Sequence, residues 1–206
     1  MKEAEEMYRI TYTDKAKIYV TTSQREFTRL VPLWIGSEVG GVTLRVGNVI
    51  YMNPTKIKES KYEEEEFIRH ELVHDLIYQN SSLLTHFVMS SQQWMVEGMA
   101  TYFGGPTYYN ENEFAAIMRD KKLIYNEKSG KLFENLDPKD SKFNYTLYKY
   151  FISYLIDEYG TGRFESFMKQ YLESPGNYKL IFFEEYDKPF KLVVEEFVKK
   201  YHSSLF

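Results

Sequence analysis

The stretch FIRHELVHDL, residues 67–76, lies within a longer segment that has the spacing of an amphipathic helix. Apolar side chains recur every fourth residue along one line of this segment, at Ile68, Leu72 and Leu76. Such a line predicts a helical face that packs into a core. Just ahead of it, Ser60 and Glu63 have the spacing of a capping box, and the glutamates that follow suit the positive end of the helix dipole. We therefore expect one helix over about residues 61–79.

Two histidines and a glutamate share one sector of this helix. At about 100° per residue, His70 and His74 lie within about 40° of one another, and Glu71 lies about 60° beyond His74. Zinc binds neutral imidazole nitrogens at about 2 Å, and two histidines four residues apart on a rigid helix supply two of them. The adjacent glutamate can then take a proton from a metal-bound water. The pattern predicts a metal site; the alternative is the polar flank of an ordinary helix.

Such a site needs a third ligand. A metzincin requires a glycine and a further histidine at two later positions of the motif, where this chain has Ile77 and Asn80. The chain has no cysteine, which excludes thiolate ligands, thiol catalysis and disulfides. The segment WMVEGMATY offers Glu97 on the next strong helix. Gly98 and Ala100 are small enough to let that helix pack closely against the first.

Charge and hydropathy narrow the range of partners. The formal net charge is −4 and no basic stripe is present, so we expect no nucleic-acid partner. The N-terminal MKEAEEMYRI lacks the apolar stretch of a signal peptide, and no run approaches the roughly 18 apolar residues that a membrane span needs. We expect no membrane span in this chain, and its compartment and oligomeric state stay open.

The N-terminal third has the pattern of a small sheet. Residues 8–20 begin with alternating and β-branched side chains, which predicts one or two strands. A short helix is expected over SQREFTRLV, before Pro32. Residues 40–52 alternate again, and the step from Gly47 to Asn48 predicts a hairpin. We expect a small mixed sheet with an exposed edge.

The remainder of the chain is mostly helical in pattern. Ser90 and Gln93 form a second capping-box pattern at the start of QQWMVEGMATYF, which two glycines and a proline end. Further helices are predicted over residues 111–121, 143–159, 163–173 and 188–201. The expected fold class is α+β, with an N-terminal α/β subdomain over about residues 1–80 and a helical C-terminal subdomain over about residues 81–206.

Two motifs of the chain resemble a known group of enzymes. HELVH followed by W-x-x-E-G-x-A-x-Y is similar to the pattern of the gluzincins, zinc peptidases with a His, His, Glu ligand set, and in particular to the peptidase MA-like domains related to aminopeptidase N. KIYVTTSQREFTRLV and GNVIYMNP resemble the strand, helix and edge strand that precede the motif there, and YTLYKYFISYLIDEYG resembles the downstream helix. The resemblance implies a zincin-like fold and a single catalytic domain over residues 1–206.

The resemblance also implies roles for individual residues. It makes His70, His74 and Glu97 the ligands of one zinc ion and Glu71 the general base. Tyr145 stands at the position of the tyrosine that hydrogen-bonds the oxyanion in the aminopeptidase-like families.

The oxyanion tyrosine and the hydrogen bond of Thr101 each have an alternative. Tyr148 and Tyr150 are close to Tyr145 in the sequence and are alternatives for the oxyanion tyrosine. Thr101 lies four residues after Glu97 on the same helical face, where its hydroxyl would bond either a ligand histidine or its own helix backbone.

Three further polar residues are expected outside the site. His86 and His202 have no partner at metal-ligand spacing and are expected to be ordinary histidines. Asp75 points away from the metal sector of its helix and is expected to be a solvated or capping charge.

The chain departs from the aminopeptidases in one respect. Those enzymes carry G-x-M-E-N on the edge strand, where the glutamate binds the free amino terminus of the substrate, whereas this chain has GGVTLR at residues 40–45. The resemblance therefore implies a peptide or protein substrate and favours an endopeptidase over an aminopeptidase. The edge strand can still pair with an extended peptide through backbone hydrogen bonds. The alternative from another class is a non-catalytic peptide-binding or interaction domain that retains the gluzincin fold.

Overall fold

The computed structural model describes residues 2–8, 10–32, 39–127 and 131–203. Within these ranges the strands are β1 (Lys17–Val20), β2 (Gly41–Leu44) and β3 (Val49–Met52). The helices are α1 (Lys2–Tyr8), α2 (Gln24–Leu30), α3 (Pro54–Glu59), α4 (Glu64–Gln79), α5 (Leu83–Ser90), α6 (Gln93–Gly104), α7 (Glu111–Asp120), α8 (Ser141–Tyr159), α9 (Thr161–Glu173), a 3-10 turn (Pro175–Asn177), α10 (Tyr178–Tyr186) and α11 (Phe190–Ser203). The predicted α+β class is confirmed.

The three described strands form one mixed sheet in the order β1-β3-β2. β1 runs parallel to β3, and β2 runs antiparallel to β3. The turn between β2 and β3 contains Gly47 and Asn48, whose φ angles are 85° and 51°. Glycine and asparagine are the residues that adopt positive φ most readily, so the predicted hairpin is confirmed. β2 is an edge of this sheet and packs beside α4.

The strands predicted over residues 8–20 are only partly correct. The described part of the chain begins with α1, and among the described residues of the predicted segment only β1 is a strand. α1 packs against α9, where Ala4 is fully buried. Between α1 and β1 the chain crosses α4, and the hydroxyl of Tyr12 donates a hydrogen bond to the carbonyl of Leu72. Tertiary contacts of this kind override the local strand pattern.

Both predicted capping boxes are wrong. α4 begins at Glu64, and its capping box pairs Glu63 with Glu66. Ser60 follows the end of α3, where its hydroxyl donates to the carbonyl oxygen of Ile57 at 2.7 Å. Ser90 likewise ends α5 and donates to the carbonyl of Phe87. In both cases the serine hydroxyl donates a hydrogen bond to the preceding helical turn. The spacing between the serine and the acidic or amide residue three positions later does not distinguish this hydrogen bond from an N-cap.

α6 lies between α4 and α8 and forms the centre of the helical core. A Cβ atom at Gly98 would lie 3.0 Å from the carbonyl oxygen of Tyr148, so Gly98 allows α8 to approach. At Gly104 a Cβ atom would overlap the backbone of His70. The expectation that Gly98 allows the approach to the histidine helix is therefore wrong, because Gly104 has that role.

The later helices follow the predicted ranges closely. α7, α8, α9 and α11 match the four predicted segments, whereas α3 and α10 are not predicted.

Among the described residues, no helix has both the length and the apolar character that a bilayer span requires.

Candidate metal centre

α4 and α6 bring three metal-binding side chains together. His70 and His74 project from α4, and Glu97 projects from the first half of α6. One donor atom from each residue lies within 4.8 Å of the other two. The two histidines are buried and Glu97 is partly buried. The three residues predicted as ligands thus form one group that could hold a metal ion.

The spacing of the donor atoms fits a four-coordinate metal. The Nε2 atoms of His70 and His74 are 3.1 Å apart. Oε2 of Glu97 is 3.3 Å from Nε2 of His70 and 3.4 Å from Nε2 of His74. Ligands bound tetrahedrally at about 2.0–2.1 Å lie roughly 3.3–3.4 Å from one another. The residues present therefore fit a metal with three protein ligands.

A backbone carbonyl orients the ring of His70. Nδ1 of His70 lies 2.8 Å from the carbonyl oxygen of Gly105, an atom that only accepts hydrogen bonds. Nδ1 therefore carries a proton, and in the neutral ring Nε2 keeps the lone pair that a metal needs. Gly105 has a φ of 80°, which favours glycine. The only sequence signal for this contact is the pair of glycines at the end of α6.

Thr101 forms neither of the hydrogen bonds expected of it. Its Oγ1 is buried and has no partner within the described part of the chain. Nδ1 of His74 is also buried and, among the same residues, unpartnered. Thr101 is almost fully buried, so its side chain packs inside the core.

Electrostatics keep Glu97 ionised. Burial raises the pKa of its carboxyl, but the positive charge of a protonated His74 and the close polar contacts with both imidazoles outweigh burial and hold that pKa well below its usual range. Burial lowers the pKa of His74, and the charge of Glu97 outweighs this and raises it. Glu97 is therefore a carboxylate at neutral pH, which is the form that binds a metal.

The edge strand β2 holds Glu71. Oγ1 of Thr43 lies 2.7 Å from Oε2 of Glu71 and 2.9 Å from its backbone oxygen, so the hydroxyl donates to these acceptors. A Cβ atom at Gly41 would lie 2.9 Å from Cγ of Glu71, so glycine leaves the space that this side chain occupies. Neither Gly41 nor Thr43 is singled out by the sequence pattern, which indicates only an edge strand.

Of the three candidate tyrosines on α8, Tyr145 lines the cleft beside the metal-binding group. Its ring centroid lies 6.0 Å from that of His70. The charge of Glu97 and burial raise its pKa, so its phenol stays protonated at neutral pH. Tyr148 is buried in the core, and the hydroxyl of Tyr150 donates to the carbonyl of Tyr109.

Tyr78 is a cleft residue that the sequence interpretation does not include. It lies four residues after His74 on α4, and its ring stacks on the His74 ring with the centroids 6.0 Å apart. Burial and the charges of Glu97 and Glu71 raise its pKa, so its phenol is also a hydrogen-bond donor at neutral pH. The helical spacing from His74 is the signal that could have identified it.

These side chains lie in a cleft of about 740 Å³. Its lining includes residues of the edge strand β2 and of α4, and Glu97 comes from α6. Further lining residues come from the end of α3, the segment after α6, and residues 138–145. The candidate base and ligands thus share one accessible space.

The remaining polar residues lie outside the ligand group. Asp75 is fully buried and accepts a hydrogen bond from Gln79 at 2.7 Å, so the expectation of a solvated charge is wrong. Burial raises the pKa of this carboxyl. His86 packs edge-on against the ring of Tyr78, and Nε2 of His202 lies 2.8 Å from the carbonyl of Met118. Neither histidine belongs to the metal-binding group.

Comparison with known proteins adds no family assignment. No protein-family model matches the chain. No curated protein is significantly similar to it in sequence. Evidence for the role of the site therefore comes from the chemistry and spacing of its own residues.

Proposed function

We propose that this protein is a zinc-dependent peptidase of the gluzincin type that cuts within peptide chains. The observation that carries the proposal is the spacing of the donor atoms of His70, His74 and Glu97, which suits tetrahedral zinc. Glu71 lines the same cleft. A purely structural zinc site closes all four positions with protein ligands and needs no adjacent base. The ligand set and the cleft therefore favour catalysis.

The order and packing of the elements support a zincin-like fold. β2 is an antiparallel edge strand beside α4, and α6 packs against α4 and carries Glu97. These elements correspond to the edge strand, metal-binding helix and glutamate-bearing helix that the resemblance to gluzincins implies.

Glu71 is the proposed proton carrier. A zinc ion held by the three ligands would supply Lewis-acid polarisation of the scissile carbonyl and lower the pKa of water. Glu71 takes the proton of the attacking water as the new carbon–oxygen bond forms. It then gives that proton to the leaving amine nitrogen as the carbon–nitrogen bond breaks, which restores the carboxylate. The hydroxyl of Thr43 orients this carboxylate throughout.

Tyr145 is the proposed donor to the oxyanion. It lines the cleft beside His70 and keeps its proton at neutral pH. A preorganised hydroxyl that donates to the developing negative charge stabilises the transition state more than the ground state.

The edge strand β2 is the proposed binding surface for the peptide backbone. Gly41, Val42 and Thr43 line the cleft, and β2 pairs on one side only within the described sheet. An extended peptide can add to such an edge through backbone hydrogen bonds. β2 carries no carboxylate to bind a free amino terminus, which favours cleavage within a chain.

Thr43→Val is expected to lower kcat/KM by about tenfold at neutral pH, because it removes the hydroxyl that hydrogen-bonds the Glu71 carboxylate and so leaves the proposed base less well positioned. Zinc content should be unchanged, and steady-state cleavage kinetics measure the loss. Thr43→Ser keeps the hydroxyl and serves as the control. An unchanged kcat/KM in Thr43→Val would show that Thr43 does not position the base.

Metal analysis and a cleavage assay together test the proposed function. We expect about one zinc ion per chain, and cuts within library peptides that are blocked at both ends, because an endopeptidase needs neither terminus. Cleavage restricted to peptides with a free amino terminus would contradict the endopeptidase assignment. Stoichiometric zinc with no cleavage of any peptide would contradict catalysis and favour a peptide-binding domain.

A further inference from the structure

Two lysines stand on the rim of the cleft beside Tyr145. Both line the cleft: Lys139 lies just before α8, and Lys142 lies in its first turn. Both side chains are exposed. Lys142 is three residues before Tyr145, so the two side chains lie on the same face of α8. We call Lys139 and Lys142 the basic rim.

Within the described residues, the basic rim forms no ion pair. The acidic neighbours in the sequence are engaged elsewhere. Oδ2 of Asp140 lies 3.4 Å from Nζ of Lys121, and Oδ1 of Asp137 accepts a hydrogen bond from the backbone nitrogen of Lys139. Neither aspartate lines the cleft. The two ammonium groups are therefore available to a charged ligand.

The other charges of the cleft are balanced. Lys56 and Glu59 form an ion pair at 2.9 Å. The carboxylates of Glu71 and Glu97 belong to the proposed base and ligand set, and the two charges of a zinc ion would balance them. The basic rim is thus a local excess of positive charge in a chain whose formal net charge is −4. Protein walls of low dielectric constant focus such a field into a cleft.

We propose that the basic rim binds a carboxylate of the substrate close to the scissile bond, so that the protein selects acidic peptides. This inference rests on the proposed peptidase function. The carboxylate can belong to an Asp or Glu side chain or to the C-terminus of the peptide, because both present the same charge to a lysine.

Matched peptides distinguish these two sources. Glu and Gln are compared at each position near the cut, in peptides with a free or an amidated C-terminus. At low salt we expect kcat/KM to be about three- to tenfold higher for Glu than for Gln in at least one position, mainly through KM. The ratio should approach one at about 0.5 M salt, because exposed charges are then screened. A preference only for the free C-terminus would identify the terminal carboxylate as the ligand.

Variants test whether the lysines cause the preference. Lys139→Gln combined with Lys142→Gln is expected to bring the ratio of kcat/KM between the Glu and Gln peptides to about one. Lys139→Glu combined with Lys142→Glu is expected to reverse the preference, so that peptides with lysine at that position are cleaved faster than peptides with glutamate. Lys122→Gln combined with Lys169→Gln makes the same charge change at two exposed lysines outside the cleft and should keep the wild-type ratio. An unchanged ratio in the double glutamine variant of the basic rim would overturn the inference.

Direct binding separates this inference from the proposed function. Fluorescence anisotropy measures the Kd of the Glu and Gln peptides for the Glu71→Gln variant. Cleavage with equal kcat/KM and equal Kd for both peptides would overturn the basic rim and leave the peptidase proposal standing. Tighter binding of the Glu peptide with no cleavage by the wild type would overturn the peptidase proposal and leave the binding of a carboxylate by the basic rim standing. Absence of both binding and cleavage would overturn both.

Discussion

Replacing Glu71 with glutamine is expected to lower kcat/KM for peptide cleavage by about 10²- to 10⁴-fold, the usual contribution of a positioned general base. Glutamine has nearly the shape of glutamate, and its amide oxygen can still accept a hydrogen bond from Thr43. An amide does not take up the proton of the attacking water. The fold and the zinc content should therefore be unchanged while cleavage slows by this factor.

The matched control for this variant is Glu65→Gln. Glu65 is on the same helix, but it is exposed, pairs with Arg69 at 3.5 Å and lies outside the cleft. Cleavage kinetics, zinc content and thermal unfolding of both variants are the measurements. Full activity in Glu71→Gln would show that another group accepts the proton, and parallel losses of zinc and activity would show that Glu71 acts on the ligand group.

Removing one imidazole is expected to abolish metal binding. His74→Ala leaves only His70 and Glu97 as donors, and we expect zinc content to fall from about one ion per chain to below about a tenth. Zinc that binds only the folded state at 100 times its Kd stabilises it by about 2.7 kcal/mol. That gain in the free energy of unfolding should disappear in His74→Ala, together with peptide cleavage.

Two further variants make this test specific. His202→Ala removes a histidine that bonds the Met118 carbonyl outside the metal-binding group, and it should retain zinc. Glu97→Gln nearly preserves shape and removes the charge, so its zinc affinity should fall well below that of the wild type. Wild-type zinc affinity in Glu97→Gln would show that another residue is the third ligand. Isothermal titration with zinc and unfolding in denaturant measure both quantities.

The parts of the site that lie on one helix could be predicted locally. Helical geometry sets the relative directions of His70, Glu71 and His74, whatever the helix packs against. Predicting Glu97 as the third ligand required a second sequence motif, because the distance between Glu97 and the two histidines depends on how α6 crosses α4. Choosing among Tyr145, Tyr148 and Tyr150 required knowledge of how α8 is oriented about its own axis. In this orientation Tyr145 faces the cleft and Tyr148 faces the core.

The same distinction explains the errors at the helix ends. Ser60 and Ser90 match a capping-box pattern, yet each belongs to the end of the preceding helix. A serine hydroxyl can bond the backbone ahead of it or behind it, and the packing of the neighbouring helix selects between the two. Gly98 and Gly104 show the same limit for helix packing. The small size of a glycine predicts a close contact, but it does not predict which helix makes that contact.

The fold class, the hairpin at Gly47 and the donors of α4 could be predicted from the sequence, because they depend on local periodicity and backbone preference. The residues that surround those donors depend on tertiary packing. Thr43 reaches Glu71 across the edge of the sheet, and the Gly105 carbonyl orients His70 from the end of another helix. Such contacts join residues 28 and 35 positions apart, so they depend on how the elements pack, which no local pattern encodes.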